Sequence, residues 1–350
     1  MRMKVLAGAI TAGLLAVGVS ACGANSTNSS TGSSHKGPWV IAQSNSYYGN
    51  GARIQMKKEI EAEAATPAYK KEVKKLIINN AGNNVSAQVS AIQNMIAEHV
   101  NAILIDAASP TGLNNVIAKA HQQGIVVVSY DNLVTSPYAI KVNEPMHVYG
   151  AAGVKWLVNT LHGKGNIVVL RGVAGTTDDA LEWAAVQKEV KSHPGIHILN
   201  VSYANWDEAT AQSIMQNLLN TYHNIDGVYT EGGEAYGVIQ AYVHAHRKFV
   251  PVVGSDTNGT ALMAKKYASQ GLKVYQVSSD LWRSAKAFQV AMQKLEGKHV
   301  PSYIQLPVIT WATQTAIKNA LPSEPSSFYL NVDAPKDGVV LTPKQVVSQP

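Results

Sequence analysis

The 350-residue chain has one cysteine, three phenylalanines and few charges, with Asp, Glu, Lys and Arg making up only 15% of it. A single thiol excludes an intramolecular disulfide and a thiolate metal site. The charged fraction lies below the roughly 25% usual for soluble proteins, which fits an acidic habitat where carboxylates gain protons. Twenty-nine basic and 23 acidic residues give a formal charge of +6 without long runs of one sign, so nothing marks a nucleic-acid binder. Catalytic signatures are also missing. There is no Gly-x-Ser-x-Gly elbow, no His-Glu-x-x-His, no phosphate loop around Gly163-Lys164-Gly165 and no dinucleotide fingerprint around Gly232-Gly233. His244 and His246, two apart on a helix, point to different sides and make a poor metal pair.

What is present begins at the lone cysteine. Arg2 and Lys4 precede an uncharged run from Val5 to Val19, short of the ~20 residues that a membrane span needs and shaped like a secretory signal. It ends in Val19-Ser20-Ala21-Cys22, which resembles the lipobox of bacterial lipoproteins. That resemblance implies a signal peptide over 1–21 and lipid on Cys22 as the mature N-terminus. Loss of the signal leaves 27 basic against 23 acidic residues, a net charge of +4. Residues 22–37 are nearly all Gly, Ala, Ser, Thr and Asn, too polar to bury a core, and read as a flexible tether.

About 310 residues follow, more than one core usually serves. Apolar β-rich runs alternate with helix-length segments. Val40–Ala42, Leu76–Ile78, Ala102–Ile105, Ile125–Val128, Ile167–Leu170, Ile196–Val201, Gly227–Tyr229, Val250–Val253 and Lys273–Val277 read as strands. Segments 51–65, 85–99, 112–123, 145–162, 178–192, 207–221, 234–246, 258–270 and 281–297 read as helices, with a break near Ala139–Asn143. Continuous apolar strands between helices predict parallel sheets covered on both faces, here in two α/β units. The tail 322–350 has no clear pattern.

Polar and aromatic residues follow the strands: Asn45 to Tyr48, Asp131-Asn132, Arg171, Trp206, Glu231, Asp256 to Asn258 and Gln276. Ligands of open parallel sheets bind outside the carboxyl ends of the strands. A sugar packs its C–H faces on aromatic rings and its hydroxyls on Asp, Asn, Gln and Arg. An Asp or Asn after a strand also serves as a helix cap, and a tryptophan also serves a core.

Six stretches share order and spacing with one family. They are "SNSYYGNGARIQM" (Ser44–Met56), "NAILIDAASPTGLNNVIAKAHQQGIVVVSYDN" (Asn101–Asn132), "VVLRGVAGTT" (Val168–Thr177), "ANWDEATAQSIMQNLL" (Ala204–Leu219), "DGVYTEGGEAYGVIQA" (Asp226–Ala241) and "VPVVGSDTNG" (Val250–Gly259). From Trp39 to about Thr310 the chain resembles the substrate-binding proteins of bacterial sugar ABC importers, of the ribose-binding type. The resemblance implies a periplasmic binding protein type I fold, two Rossmann-like parallel-sheet domains that close on one ligand about a three-crossing hinge. It puts the crossings near Asn143, Val277 and Thr310. The first domain is then 38–143 plus 278–310, and the second 144–277 plus 311–350.

Carried over residue by residue, the resemblance implies ligand contacts from Tyr47, Tyr48, Asp131, Asn132, Trp206, Glu231, Asp256, Asn258 and Gln276. Two arginines common in relatives are absent. One place is taken by Asn132, and the helix after Gly175 reads Asp178-Asp179-Ala180-Leu181-Glu182-Trp183. Arg53 or Arg171 then supplies the missing donors, or the ligand carries fewer hydroxyls or a cationic group, and Trp183 becomes a candidate third wall. The implied function is that of a monomeric, lipid-anchored extracytoplasmic protein without cofactor, metal or catalytic residue. It would pass a monosaccharide to an ABC permease and ATPase. The alternative is the same clamp reporting a furanosyl or non-sugar ligand to a membrane sensor.

Overall fold

The computed structural model describes residues 37–332 and residue 341. Cys22, the signal segment and the tether up to residue 36 lie outside the described residues, as does most of the tail beyond residue 332. Among the described residues no helix is long and apolar enough to cross a membrane.

Two six-stranded sheets carry the fold. The first contains β1 (Trp39–Asn45), β2 (Val73–Asn80), β3 (Ala102–Asp106), β4 (Val126–Tyr130), β5 (Ile140–Asn143) and β11 (Tyr303–Gln305), in the order β2-β1-β3-β4-β5-β11. The second contains β6 (Lys164–Arg171), β7 (Gly195–Tyr203), β8 (Gly227–Thr230), β9 (Val252–Ser255), β10 (Val274–Val277) and β12 (Thr310–Ala312), in the order β7-β6-β8-β9-β10-β12. Every pairing between these strands is parallel except β10 with β12.

Alternation along the central strands feeds both faces. In β3, Ala102 and Leu104 enter one core with Ile60 and Phe288, whereas Ile103 and Ile105 enter another with Leu113 and Ile117. In β6, Val168 and Leu170 pack with Val238 and Ile239, while Ile167 and Val169 pack with Leu157 and Val186. All five residues of β3 are buried. Parallel strands covered on both faces have no solvent side to make polar, so their sequence reads as uninterrupted apolar runs.

The helices form where caps permit. Asn50 starts α1 (Gly51–Ala64) by accepting from the Arg53 amide at 3.0 Å. Asn84, Asp207 and Thr257 cap α2 (Val85–Ala97), α6 (Glu208–Thr221) and α8 (Asn258–Tyr267) in the same way. The others are α3 (Asn114–Gln122), α4 (Met146–Thr160), α5 (Thr177–Lys191), α7 (Ala235–His244), α9 (Arg283–Leu295) and α10 (Thr313–Asn319).

The chain passes between the sheets after Asn143, after Val277 and between Gln305 and Thr310. Helix α9 packs on the first sheet, and α4 and α10 on the second. Each sheet with its helices is a lobe. Strand order reverses between β1 and β3 in one lobe and between β6 and β8 in the other, and open α/β sheets bind ligands at that reversal. Asp106 ends β3, and Arg171 ends β6 with Glu231 just beyond β8.

Three short strands carry no strong sequence signal: β5, β11 and β12, the first lying where the pattern merely breaks. After α10 the chain makes an irregular strap. Phe328 and Ser326 carbonyls accept from the Asn258 and Gly259 amides, and Leu330 N donates to the Asp256 carbonyl at 3.0 Å, all on the second lobe. The same strap is fixed to the first lobe. Gln55 exchanges hydrogen bonds with the Tyr329 backbone, and Asn331 donates to Glu59 at 2.7 Å.

Candidate functional site

At the first sheet's reversal point a buried ionic cluster forms around Asp131. Arg53, in the first turn of α1, reaches Asp106 Oδ2 at 2.7 Å and also Asp131 Oδ2. Arg283, the first residue of α9, donates from Nη1 to Asp131 Oδ1 at 3.0 Å and to Asn143 Oδ1 at 2.6 Å. Its Nη2 lies 2.8 Å from Glu144 Oε1, and the same guanidinium donates to the Ser279 carbonyl. One arginine thus holds the ends of β4 and β5 and the second crossing segment together. A cation in a helix's first turn opposes the helix dipole. Both arginines sit there because buried carboxylates more than offset that cost.

The second lobe supplies the opposite wall. The Trp206 ring lies on Gly172 and Gly232, where an added Cβ would come within 2.0 and 2.5 Å of it. Neither position can carry a side chain with the tryptophan in place. Glu231 Oε2 accepts from the Gly172 amide at 2.8 Å. Tyr149 hydroxyl bonds Ser255 Oγ at 2.7 Å. Glu182 accepts from Tyr229 hydroxyl at 3.4 Å. Asp131, Asn205 and Trp206 all adopt left-handed backbone, with φ of 57°, 58° and 54°. Non-glycine residues do this rarely, and such strain concentrates at functional sites.

These groups line one cavity between the lobes, with about 450 Å³ free of protein atoms, part of it open to solvent. Its wall includes Arg53, Asp131, Arg283 and Leu281 from the first side and Asp178, Glu182, Trp206, Glu231 and Ser255 from the second, together with Tyr329 of the strap. The lobes also meet directly. Thr177 hydroxyl donates to the Leu133 carbonyl at 2.6 Å, Asp178 N to Asn132 Oδ1 at 3.3 Å, and Asn143 Nδ2 to Asp178 Oδ1 at 3.2 Å. These contacts describe a clamp in its closed arrangement.

Burial pushes the carboxyl groups toward the neutral form. Asp178 is raised to about 7, burial outweighing the pull of Arg283 and Arg53. Glu182 is raised well above the ordinary range by burial, then by the neighbouring carboxylates of Glu231, Asp178 and Glu234. Glu231 is raised likewise, by burial and then by Asp179. Among the described residues no group of His, Cys, Asp and Glu could hold a metal ion.

The nine candidates from the sequence separate into two sets. Asp131, Trp206 and Glu231 line the cavity. Asn132 stands directly behind Asp131, donating to it at 3.2 Å and to Asp106 at 3.3 Å. Tyr47 stands at the rim, its ring 5.5 Å from the Arg53 guanidinium carbon and its hydroxyl donating across to the Asn205 carbonyl at 3.4 Å. The others are placed elsewhere. Tyr48 turns inward and donates to Gln43 Oε1 at 3.0 Å. Asp256 accepts from the Ser279 and Asn331 amides, so it fixes a crossing segment and the strap. Asn258 donates to the Leu321, Glu324 and Pro325 carbonyls. Gln276 ties the Ser255 and Thr257 carbonyls to the Trp311 indole.

Of the two arginines offered as compensating donors, Arg53 is in the wall. Arg171 is committed instead to a bidentate pair with Asp179 at 2.9 and 2.7 Å, its guanidinium carbon 4.9 and 4.7 Å from the Trp183 and Tyr203 rings. Trp183 therefore stacks on Arg171 and is not a third wall. Sequence reasoning passed over Arg283, Glu182, Tyr149 and Tyr329. Only Arg283 left a signal, as a cation at a helix start.

A family model described as a periplasmic binding protein domain matches residues 41–299. The chain belongs to that family. It is a family of solute-binding proteins rather than enzymes, and its membership includes sugar-binding components of ABC importers. Over 194 residues the chain is 30% identical to the xylitol-binding protein of Mycolicibacterium smegmatis, covering 55% of this chain and 56% of that protein. It is 26% identical over 278 residues to the ribose import binding protein of Bacillus subtilis, covering 79% and 88%. Among solved structures, an ABC transporter solute-binding protein from Thermobispora bispora superimposes with a TM-score of 0.73 at 28% identity, covering 77% of this chain and 84% of that one. The two-lobed parallel-sheet fold is that of the type I periplasmic sugar-binding proteins.

Proposed function

We propose that this chain captures a small polyhydroxylated ligand, a monosaccharide or polyol, in the cavity between its lobes and hands it to an ABC permease and its ATPase. It does so outside the cytoplasm, as a monomer held at the membrane by lipid on Cys22. The observation that carries the reading is the composition of the cavity wall. Asp131 accepts, Arg53 and Arg283 donate, and Trp206 offers a flat apolar face from the opposite lobe. Rigid donors and acceptors opposite an aromatic face match alternating hydroxyls and C–H groups. The named relatives bind xylitol and ribose, which are ligands of this chemistry.

Closure is the coupling step. The contacts from Thr177 to Leu133 and from Asp178 to Asn132 exist only when the lobes meet. A ligand bridging Asp131 and Trp206 would favour that state by its differential affinity for it. The surface made by closure is what a permease would recognise.

A thermal-shift screen of the protein without its signal and tether, starting near Pro38, against pentoses, hexoses, deoxysugars, polyols and furanosyl compounds tests the reading. Ligand that binds only the folded state raises the melting temperature by mass action. A selective rise with one member supports it. No rise with any member rejects a sugar or polyol as ligand and favours a sensor of a different solute.

A further inference from the structure

The carboxyl groups of the cavity wall outnumber its arginines. Its wall holds four carboxyl groups, Asp131, Asp178, Glu182 and Glu231, and two guanidinium groups, Arg53 and Arg283. Both arginines are already shared. Arg53 serves Asp106 as well as Asp131, and Arg283 serves Asp131 and Glu144, with Asp178 at 3.8 Å. Of the far-wall carboxyl groups, these two arginines come within 4 Å of Asp178 alone.

Glu182 and Glu231 are the groups left over. Glu182 is 1% exposed, and among the described residues the one hydrogen bond to its carboxylate is the 3.4 Å contact from the neutral Tyr229 hydroxyl. Glu231 is 2% exposed, and its Oε1 has no hydrogen-bond partner among the described residues. The nearest cation, Arg171 Nε, is 3.7 Å from that oxygen and already donates to Asp179. A buried carboxylate without a cationic partner is costly, and proteins pair or neutralise such groups. Both residues line the cavity, beside the Trp206 ring, over which the Arg53 guanidinium carbon already lies 5.6 Å from the ring centroid.

We infer that the ligand of this cavity is a sugar or polyol carrying a protonated amine, with its ammonium group received by Glu182 and Glu231 on the second lobe and its hydroxyls by Asp131, Arg53 and Arg283 on the first. The inference rests on the proposed sugar-binding role and narrows its ligand class. An ammonium offers three donors to acceptor-only carboxylates, and it brings a cation to Glu182, which has no ion pair among the described residues, and a closer one than Arg171 to Glu231. A neutral hydroxyl at the same place offers one donor and brings no cation to either carboxyl group.

Titration calorimetry with matched pairs tests this. The pairs are glucosamine with glucose, galactosamine with galactose, and 1-amino-1-deoxysorbitol with sorbitol, with the N-acetyl forms as charge-free controls. The inference expects the amine of at least one pair to bind about tenfold or more tighter than its hydroxyl partner, with N-acetylation removing the gain. Glu182→Gln should reduce the preference for the amine over its hydroxyl partner below about threefold. Glu231→Gln gives the same readout should the first variant fold poorly. Neutral members that bind as well as the amines overturn the inference and leave the sugar-binding reading standing. No binding by any member overturns both.

Discussion

Arg283→Met removes the one side chain that joins the end of β4, the start of the first crossing and the second crossing. The methionine keeps much of the volume, so the loss is electrostatic. Asp131 retains Arg53 and Asp178 retains Asn143, whereas Glu144 loses the one cationic neighbour it has among the described residues. Breaking a buried ion pair costs roughly 3–5 kcal/mol because the remaining charge is stranded. The retained partners put this case near the lower end, about 3 kcal/mol. At about 2–3 °C per kcal/mol for a domain of this size, the melting temperature should fall by about 6–9 °C at pH 8. The deficit should narrow at pH 5. The direction follows because Arg283 pulls Glu144 toward its charged form against the larger effect of burial, so its loss lets that carboxyl take up a proton more readily as pH falls. Calorimetric melts of both proteins at the two pH values decide it. An equal loss at pH 5 and pH 8, or a loss below about 1 kcal/mol, would refute the view that Arg283 works by holding buried carboxylates in their charged form.

Four further outcomes follow from the same contacts. Gly172→Ala puts a methyl group where the Trp206 ring lies, so titration should show ligand affinity falling at least about tenfold, near 1.4 kcal/mol, with the circular dichroism spectrum unchanged. Asn331→Ala removes the acceptor for the Leu281 amide and the donor to Glu59, and should lower stability by about 2–3 kcal/mol in urea melts. The ligand-free protein should be more stable at pH 5 than at pH 8. Asp178 is raised to about 7 and Glu59 and Glu234 to about 8, all by burial, so the native state binds more protons than the unfolded chain across the window from the ordinary carboxyl range up to about 8. Stability therefore falls as pH rises through that window, and a melting temperature that climbs from pH 5 to pH 8 contradicts the assignment. Cys22→Ser should release the protein from the membrane fraction into the medium or periplasm, as read by immunoblot of separated fractions.

Among the described residues nine of the twelve strands and nine of the ten α-helices, all but α10, were legible because each signal was local. Apolar runs such as Ala102–Ile105 are buried on both sides, and Asn50, Asn84 and Asp207 stand where caps belong. The short pieces β5, β11 and β12 were not legible, since three or four residues carry no period and are held by neighbouring strands. The site was read in part. Asp131 and Trp206 declare themselves by following strands, but so do Asp256 and Asn258. Those two bond the strap, whose path no local pattern reveals. Glu182 lies in mid-helix among residues of ordinary helical character, and only the packing of α5 against α4 turns it toward the cavity. Arg283 is distant from Asp131 by 152 residues, and its role depends on the chain returning to the first lobe.

A crystal structure of the complex with whichever compound gives the selective thermal shift tests the central claim most directly. The account predicts one ligand molecule between the lobes, its hydroxyls within hydrogen-bond distance of Asp131 and Arg283 and one face against Trp206. Ligand bound elsewhere, with this cavity left to the Arg53, Asp131 and Arg283 cluster alone, would contradict it.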